Sequence, residues 1–96
     1  MLIQTVKFKS QLSEEELLIT AREREPQFRA IPGLLQKYYV QLSEPDNYGG
    51  VYVWDSMQSL QEFRKSDLAA SIPGAYKVIE GPDIDVMDVL FKLRED

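Results

Sequence analysis

The sequence predicts one α+β domain in the order strand-helix-strand, strand-helix-strand. Three observations carry this. Apolar and polar residues interleave over Leu2–Lys9, a capped amphipathic helix follows Ser13, and the tripeptide Ile-Pro-Gly recurs at Ile31–Gly33 and Ile72–Gly74, after the helical segment of each half.

In the first half, Val6 and Phe8 alternate with Lys7 and Lys9, the period of a strand. Ser13 before Glu14-Glu15-Glu16 forms a capping box, and an acidic first turn suits the helix dipole. Leu17, Leu18, Ala21 and Phe28 then recur at helical spacing, while Arg22, Glu23 and Arg24 are placed on the outer face. Pro26 is expected to kink this helix or open a second short turn. Ile31-Pro32-Gly33 stops it, and Leu34–Leu42 reads as the second strand.

The second half begins at a turn-rich stretch, Glu44–Gly50, read as a hairpin connection. Val51-Tyr52-Val53-Trp54 is the third strand. Asp55 or Ser56 caps a helix that turns Met57, Leu60 and Phe63 inward, and a further short helix starts at Asp67 and stops at Ile72-Pro73-Gly74. Ile84–Leu93 is the last strand. Two such halves make a ferredoxin-like domain spanning residues 1–96, with a four-stranded antiparallel sheet and both helices on one face.

A sheet covered on one face should be polar on the other. Here Val51–Trp54 is apolar without a break, Leu34 with Leu35 and Tyr38 with Tyr39 load both faces of the second strand, and Val86 and Leu90 oppose Met87, Val89, Phe91 and Leu93. Each large apolar side chain buried is worth about 1.5–3 kcal/mol, so a naked face would drive association. The expected partner is a second copy, the two sheets stacking or closing a barrel. The alternative is a monomer with an amphiphilic aromatic face.

Composition narrows the function. The chain has 96 residues, 11 basic against 16 acidic, a net charge of -5, and neither cysteine nor histidine. A domain this small buries only about 60–65% of its unfolded surface and has no disulfide to help it. Lack of histidine removes the commonest base near neutral pH and the commonest transition-metal ligand. The acidic balance, with no cluster of Lys and Arg, argues against nucleic acid and anionic lipid as partners. Met1-Leu2-Ile3-Gln4 does not read as a signal peptide, and no apolar run reaches the ~18 residues of a membrane span, so a cytoplasmic location is expected.

Few constellations could carry chemistry. Glu14, Glu15 and Glu16 are a helix start, since consecutive helical residues diverge. Asp83, Asp85 and Asp88 lack the glycine and ligand count of a calcium loop and read as edge-strand charges. Gly49-Gly50 lacks the Lys-Ser/Thr of a phosphate loop and reads as turn geometry. There remain Tyr38, Tyr39, Tyr52, Trp54, Phe63 and Tyr76, with Arg64 beside Phe63. These either pack a core or line an apolar cavity where phenol, indole and guanidinium donors orient a flat aromatic ligand.

Gly50-Val51-Tyr52-Val53-Trp54-Asp55-Ser56, followed by Leu60, Phe63, Ser66 and Leu68, resembles the core of the antibiotic biosynthesis monooxygenase superfamily. Pro32-Gly33-Leu34, Lys37-Tyr38-Tyr39 and Val86–Leu93 resemble its YdhR-like branch. The resemblance implies a homodimer forming a dimeric α/β barrel, and cofactor-independent oxygenation of a phenol or quinol. Trp54 would then shape the pocket, and Arg64 and Tyr52 would serve as oxyanion donors. Tyr38, Tyr39, Phe63 and Tyr76 would contact a small or polycyclic aromatic substrate. The asparagine of the quinol-oxidising relatives has no clear counterpart, and the axial histidine of the haem-degrading ones is missing. The competing reading is a non-enzymatic module of the same fold that binds a small hydrophobic ligand or only dimerises; an isomerase or stress-response barrel is a third.

Overall fold

The computed structural model describes residues 1–94. The sheet is built on β1 (Leu2–Ser10), which pairs antiparallel with β3 (Asn47–Trp54) on one side and β4 (Val78–Asp88) on the other. β2 (Leu34–Gln41) adds to β3, giving the order β2-β3-β1-β4. Between them run α1 (Glu14–Arg29), α2 (Met57–Arg64) and α3 (Asp67–Ala75). This is the ferredoxin-like arrangement that the sequence predicts, with the second crossover split into two short helices.

Both halves of the capping box at α1 are present: Glu16 N donates to Ser13 Oγ at 3.2 Å and Ser13 N to Glu16 Oε1 at 2.9 Å. Pro26 neither breaks the helix nor starts a new one, and α1 continues to Arg29. The proline sits in the last turn, where Phe28 is buried against Phe63 with ring centroids 6.2 Å apart and so anchors the end. Ser56 caps α2 and Ser66 caps α3, each accepting from the backbone three residues on.

The two Ile-Pro-Gly segments are not structural equivalents. Gly33 has φ +80° and ends the turn after α1, where a Cβ would collide with Ser59 Oγ. Pro73 and Gly74 instead lie inside α3, Gly74 with open space around it, and the left-handed residue beyond that helix is Lys77 at φ +47°. Gly33→Ala is accordingly expected to cost about 2–4 kcal/mol, a left-handed penalty plus a steric one. Gly74→Ala should be neutral or mildly stabilising. Urea unfolding followed by circular dichroism separates the two.

Three strand boundaries differ from expectation. β3 begins at Asn47, so Gly49 and Gly50 are strand residues opposite Lys7 and Val6, and the connection is only Leu42–Asp46. β4 begins at Val78 because β1 reaches Ser10 and offers it a partner there, a register shift near Lys9 absorbing Gly81-Pro82. It ends at Asp88, not Leu93, because Asp88 pairs with Leu2 and β1 has almost nothing left to pair with. One further bond, Val89 N to Met1 O at 3.0 Å, follows. Leu90, Phe91 and Leu93 are then 93%, 78% and 87% exposed.

The helices cover one face. Leu2, Tyr52 and Trp54 pack with Phe28, Leu60 and Phe63, and Tyr48 packs with Leu12, Leu17, Ala21 and Tyr76. By register, Ile3, Val51, Val53, Tyr38, Val40 and Met87 share the opposite face, which no helix covers. Among the described residues no helix is long and apolar enough to cross a membrane.

Candidate functional site

A cavity of about 270 Å³ lies between the covered face of the sheet and the helices. Gln4, Val6 and Tyr52 form its floor, Lys37 and Tyr39 one wall, and Leu17, Ile72 and Tyr76 face them from the helical side and its continuation. Arg64 and Phe63 contribute from the end of α2. Among the described residues no Asp or Glu lines it.

Lys37 owes its place to a register shift in β2 between Leu34 and Gln36. Beyond that shift Lys37 stands opposite Tyr52 and Tyr39 opposite Gly50, on the helix-covered face, whereas Tyr38 stands opposite Val51 on the open one. Gly50 keeps the passage clear. A Cβ there would lie 3.1 Å from the Tyr52 ring and 3.3 Å from Lys37 Cε, closer than side chains normally pack. The Lys37 ammonium therefore reaches an aromatic cage, 3.8 Å from the centroid of Phe28, 4.3 Å from Tyr39 and 4.5 Å from Tyr52.

Aromatic faces attract a cation, but enclosure away from water disfavours it. Enclosure wins. Burial, and secondarily the Arg24 charge, push the Lys37 ammonium down to about 7. Among the described residues the one ion pair joins Arg29 to Glu25, so no carboxylate restores the lysine charge. Lys37 and Tyr39 also line an outer groove of about 410 Å³ between α1 and β2, which places the amine between that groove and the inner cavity.

Arg24 is the second cation. Its guanidinium carbon lies 5.8 Å from the Phe28 centroid and 6.0 Å from that of Tyr76, and Nη2 donates to Ser71 Oγ at 2.7 Å. Sequence periodicity placed Arg24 outward, but Leu17, Ala21, Arg24 and Phe28 form one stripe, and Arg24 Nε is buried. Among the described residues neither Arg24 Nε nor the buried Tyr76 hydroxyl has a hydrogen-bond partner. Burial raises the phenols of Tyr52 and Tyr76, the latter to about 12, so both remain protonated donors at neutral pH. The cavity lining thus carries two cations, Lys37 and Arg64, and the phenols of Tyr39, Tyr52 and Tyr76, in a protein of net charge -5, while Arg24 packs behind it on the rings of Phe28 and Tyr76.

Of the residues singled out from sequence, Tyr39, Tyr52, Phe63, Tyr76 and Arg64 meet at this cavity. Trp54 does not reach it. It is wholly enclosed, stacked at 1° on Tyr52 with centroids 6.0 Å apart, and its Nε1 donates to Gln4 Oε1 at 3.0 Å. Indole nitrogen can only donate, so Gln4 must turn its oxygen to Trp54 and its amide nitrogen elsewhere. Tyr38 is on the other face altogether. Lys37 and Gln4, which line the cavity, and Arg24, which packs behind it, were not singled out from sequence. Two of them carried a signal: Lys37 shares a strand face with Tyr39, and Arg24 interrupts an apolar helical stripe.

No three His, Cys, Asp or Glu side chains converge among the described residues. Glu14, Glu15 and Glu16 form the first turn of α1. Tyr76→Phe is expected to stabilise the empty protein by about 1 kcal/mol, since it removes a buried hydroxyl with no partner. Thermal and urea unfolding measure this.

No protein-family profile matches the sequence, and no curated protein matches it. Solved structures do. SnoaB, a cofactor-independent oxygenase from Streptomyces nogalater, superposes with a TM-score of 0.77 at 11% identity, over 98% of this chain and 97% of that one. A protein of unknown function from Nitrosomonas europaea gives 0.77 at 16% identity, over 99% and 94%. A structure described as an antibiotic biosynthesis monooxygenase gives 0.71 at 16%, over 94% and 99%. At such identities the likeness is one of fold, and over essentially its whole length this chain has the fold of the antibiotic biosynthesis monooxygenases.

Proposed function

We propose that the chain is a cofactor-independent monooxygenase that oxidises a small phenol or quinol with molecular oxygen in the cavity beside Lys37. The observation that carries this reading is the amine itself: a lysine walled by aromatic rings, at a cavity whose other polar side chains among the described residues are the phenols, Arg64 and Gln4. The SnoaB-like fold supports the same class of reaction. At about 270 Å³ the cavity sits just under the ~300–1,000 Å³ usual for ligand pockets, which favours one or two rings over a polycycle.

Such a reaction needs the substrate as its anion, because a phenolate gives up an electron to oxygen far more readily than a phenol. Lys37 near neutrality is in part the free amine, able to take the phenol proton. The resulting ammonium then faces the phenolate at low dielectric, with Tyr52 and Tyr76 as candidate donors to its oxygen. Oxygen adds at a ring carbon, and loss of water from the hydroperoxide leaves the quinone: a phenol plus O₂ gives a quinone plus water. Oxygen uptake over a panel of phenols and quinols in metal-free buffer tests this. Turnover by the wild type, lost in Lys37→Met, supports it; binding without any oxygen consumption favours the ligand-binding module.

The same reading includes a homodimer through the open face, with Ile3, Val51, Val53, Tyr38 and Met87 buried against a second copy and Leu90, Phe91 and Leu93 available to it. Light scattering is expected to give twice the 11.1 kDa of one chain, and Val53→Lys to halve it by placing a charge in the centre of the contact. A wild type at 11.1 kDa would sink the dimer.

A further inference from the structure

The placement of Lys37 has a second chemical consequence. A primary amine kept neutral is a nucleophile as well as a base, and lysines become nucleophilic when desolvated in apolar surroundings or set beside another cation. Lys37 meets both conditions: three aromatic rings within 4.5 Å of Nζ, and the Arg24 guanidinium over the same Phe28 ring.

We propose that Lys37 is a covalent carbonyl-capture site, forming an imine with small aromatic aldehydes that enter the cavity. The amine nitrogen adds to the carbonyl carbon, a proton moves to the carbonyl oxygen, and the carbinolamine loses that oxygen as water to leave C=N. Nothing is oxidised or reduced, and no further reactant is needed.

Three features of the surroundings favour it. The 270 Å³ cavity that Lys37 lines together with Tyr39 and Tyr52 offers space for a flat ring beside the amine. Arg64 and the phenols of Tyr39 and Tyr52 line the same cavity as the amine, donors suited to the carbonyl oxygen as it acquires negative charge. Lys37 faces both the 270 Å³ cavity and the outer groove between α1 and β2, so a ligand has a way in. The titratable groups that share the cavity with the amine are Tyr39, Tyr52, Arg64 and Tyr76, with Arg24 close by, and among the described residues no carboxylate lines it; Arg22, Glu25 and Arg29 share the outer groove with Lys37. Glu25, near Tyr39, is engaged by Arg29.

The inference goes beyond oxygenation and does not depend on it, since imine formation uses no oxygen. The test is anaerobic treatment of the full chain with benzaldehyde and cyanoborohydride at about pH 7, followed by peptide mapping. Cyanoborohydride delivers hydride to the imine carbon and the nitrogen takes a proton, fixing the adduct as a secondary amine. At that pH roughly half of an amine titrating near 7 is free base, against under about a thousandth of an ordinary lysine. Benzylation of Lys37 is therefore expected to outpace that of exposed Lys65 and Lys77 by about ten-fold or more.

Lys37→Arg should abolish the fast adduct. In the wild type alone, labelling of Lys37 no faster than Lys65 and Lys77 would overturn the proposal, so it remains falsifiable even if the variant folds poorly. Fast labelling without oxygen uptake would keep this site and remove the monooxygenase; the reverse result would do the opposite.

Discussion

Trp54→Ala is expected to lower stability by about 3–5 kcal/mol, the loss typical of a large aromatic removed from a core. The indole is fully enclosed and touches three things at once: Tyr52 stacked on one side, Phe63 with its centroid 5.4 Å away, and Gln4 at the end of its hydrogen bond. Deletion opens a cavity behind the floor of the site and leaves Gln4 Oε1 unpaired in the interior. A domain of this length has only a few kcal/mol to lose, so much of the variant should be unfolded at 37 °C. The chain has one tryptophan, so the measurement must use circular dichroism and not indole fluorescence. Trp54→Phe keeps a ring in the stack and should retain oxygen uptake within a few-fold. A tryptophan that directly shaped a substrate contact would not allow that.

Lys37→Met should act in opposite directions on function and on stability. Methionine matches the apolar stem and removes the amine from the aromatic cage, so the free-energy cost of enclosing it disappears. Turnover of a phenol should fall by about 100-fold or more, the usual range for loss of a general base. The stability effect carries a pH signature. The folded-state lysine releases its proton near 7, the unfolded one near ~10.4, so between those values the unfolded chain binds more protons. Stability contributed by Lys37 thus rises with pH across that window, is complete above the unfolded value, and is lost as pH falls through about 7. Urea denaturation of both proteins at pH 6 and pH 9 should show Lys37→Met more stable at pH 6, with the gap closing toward pH 9. Tyr52 and Tyr76 work the other way above pH ~10, where their raised phenols make ionisation favour unfolding.

How far the sequence was readable depends on whether the signal was local. The capping box at Ser13 and the serine caps of α2 and α3 are fixed by neighbouring residues, and the element order followed from them. The strand ends were not local. Where β4 starts and stops is decided by the extent of β1, fifty or more residues earlier in the chain, and Gly81-Pro82 reads as a breaker until a register shift is seen to absorb it. Likewise, Gly74 and Gly33 are alike in sequence and differ only in what surrounds them.

For the site, residue type was a better guide than role. Most of the chosen aromatics do meet, but Trp54, expected to shape the pocket, is enclosed behind Tyr52 and outside the cavity lining, and Tyr38 and Tyr39 could not be told apart without the register of β2. The two cations that turn inward were the larger omission. Lys37 and Arg24 look like surface charges because their type usually is, and only tertiary packing turns them inward. Gln4 was legible neither way, since its partner is fifty residues distant.

The central claim is that Lys37 takes and holds the proton of a phenol in the cavity. An acidic two-ring phenol, with a pKa near the ~7 of Lys37 and with neutral and ionised forms that absorb at different wavelengths, reports this directly, anaerobically and at a pH about one unit below that pKa, where the free compound is mostly neutral. With the wild type the bound spectrum should be that of the phenolate, and with Lys37→Met that of the neutral phenol. A bound neutral phenol in the wild type, or a phenolate that survives Lys37→Met, would contradict the account.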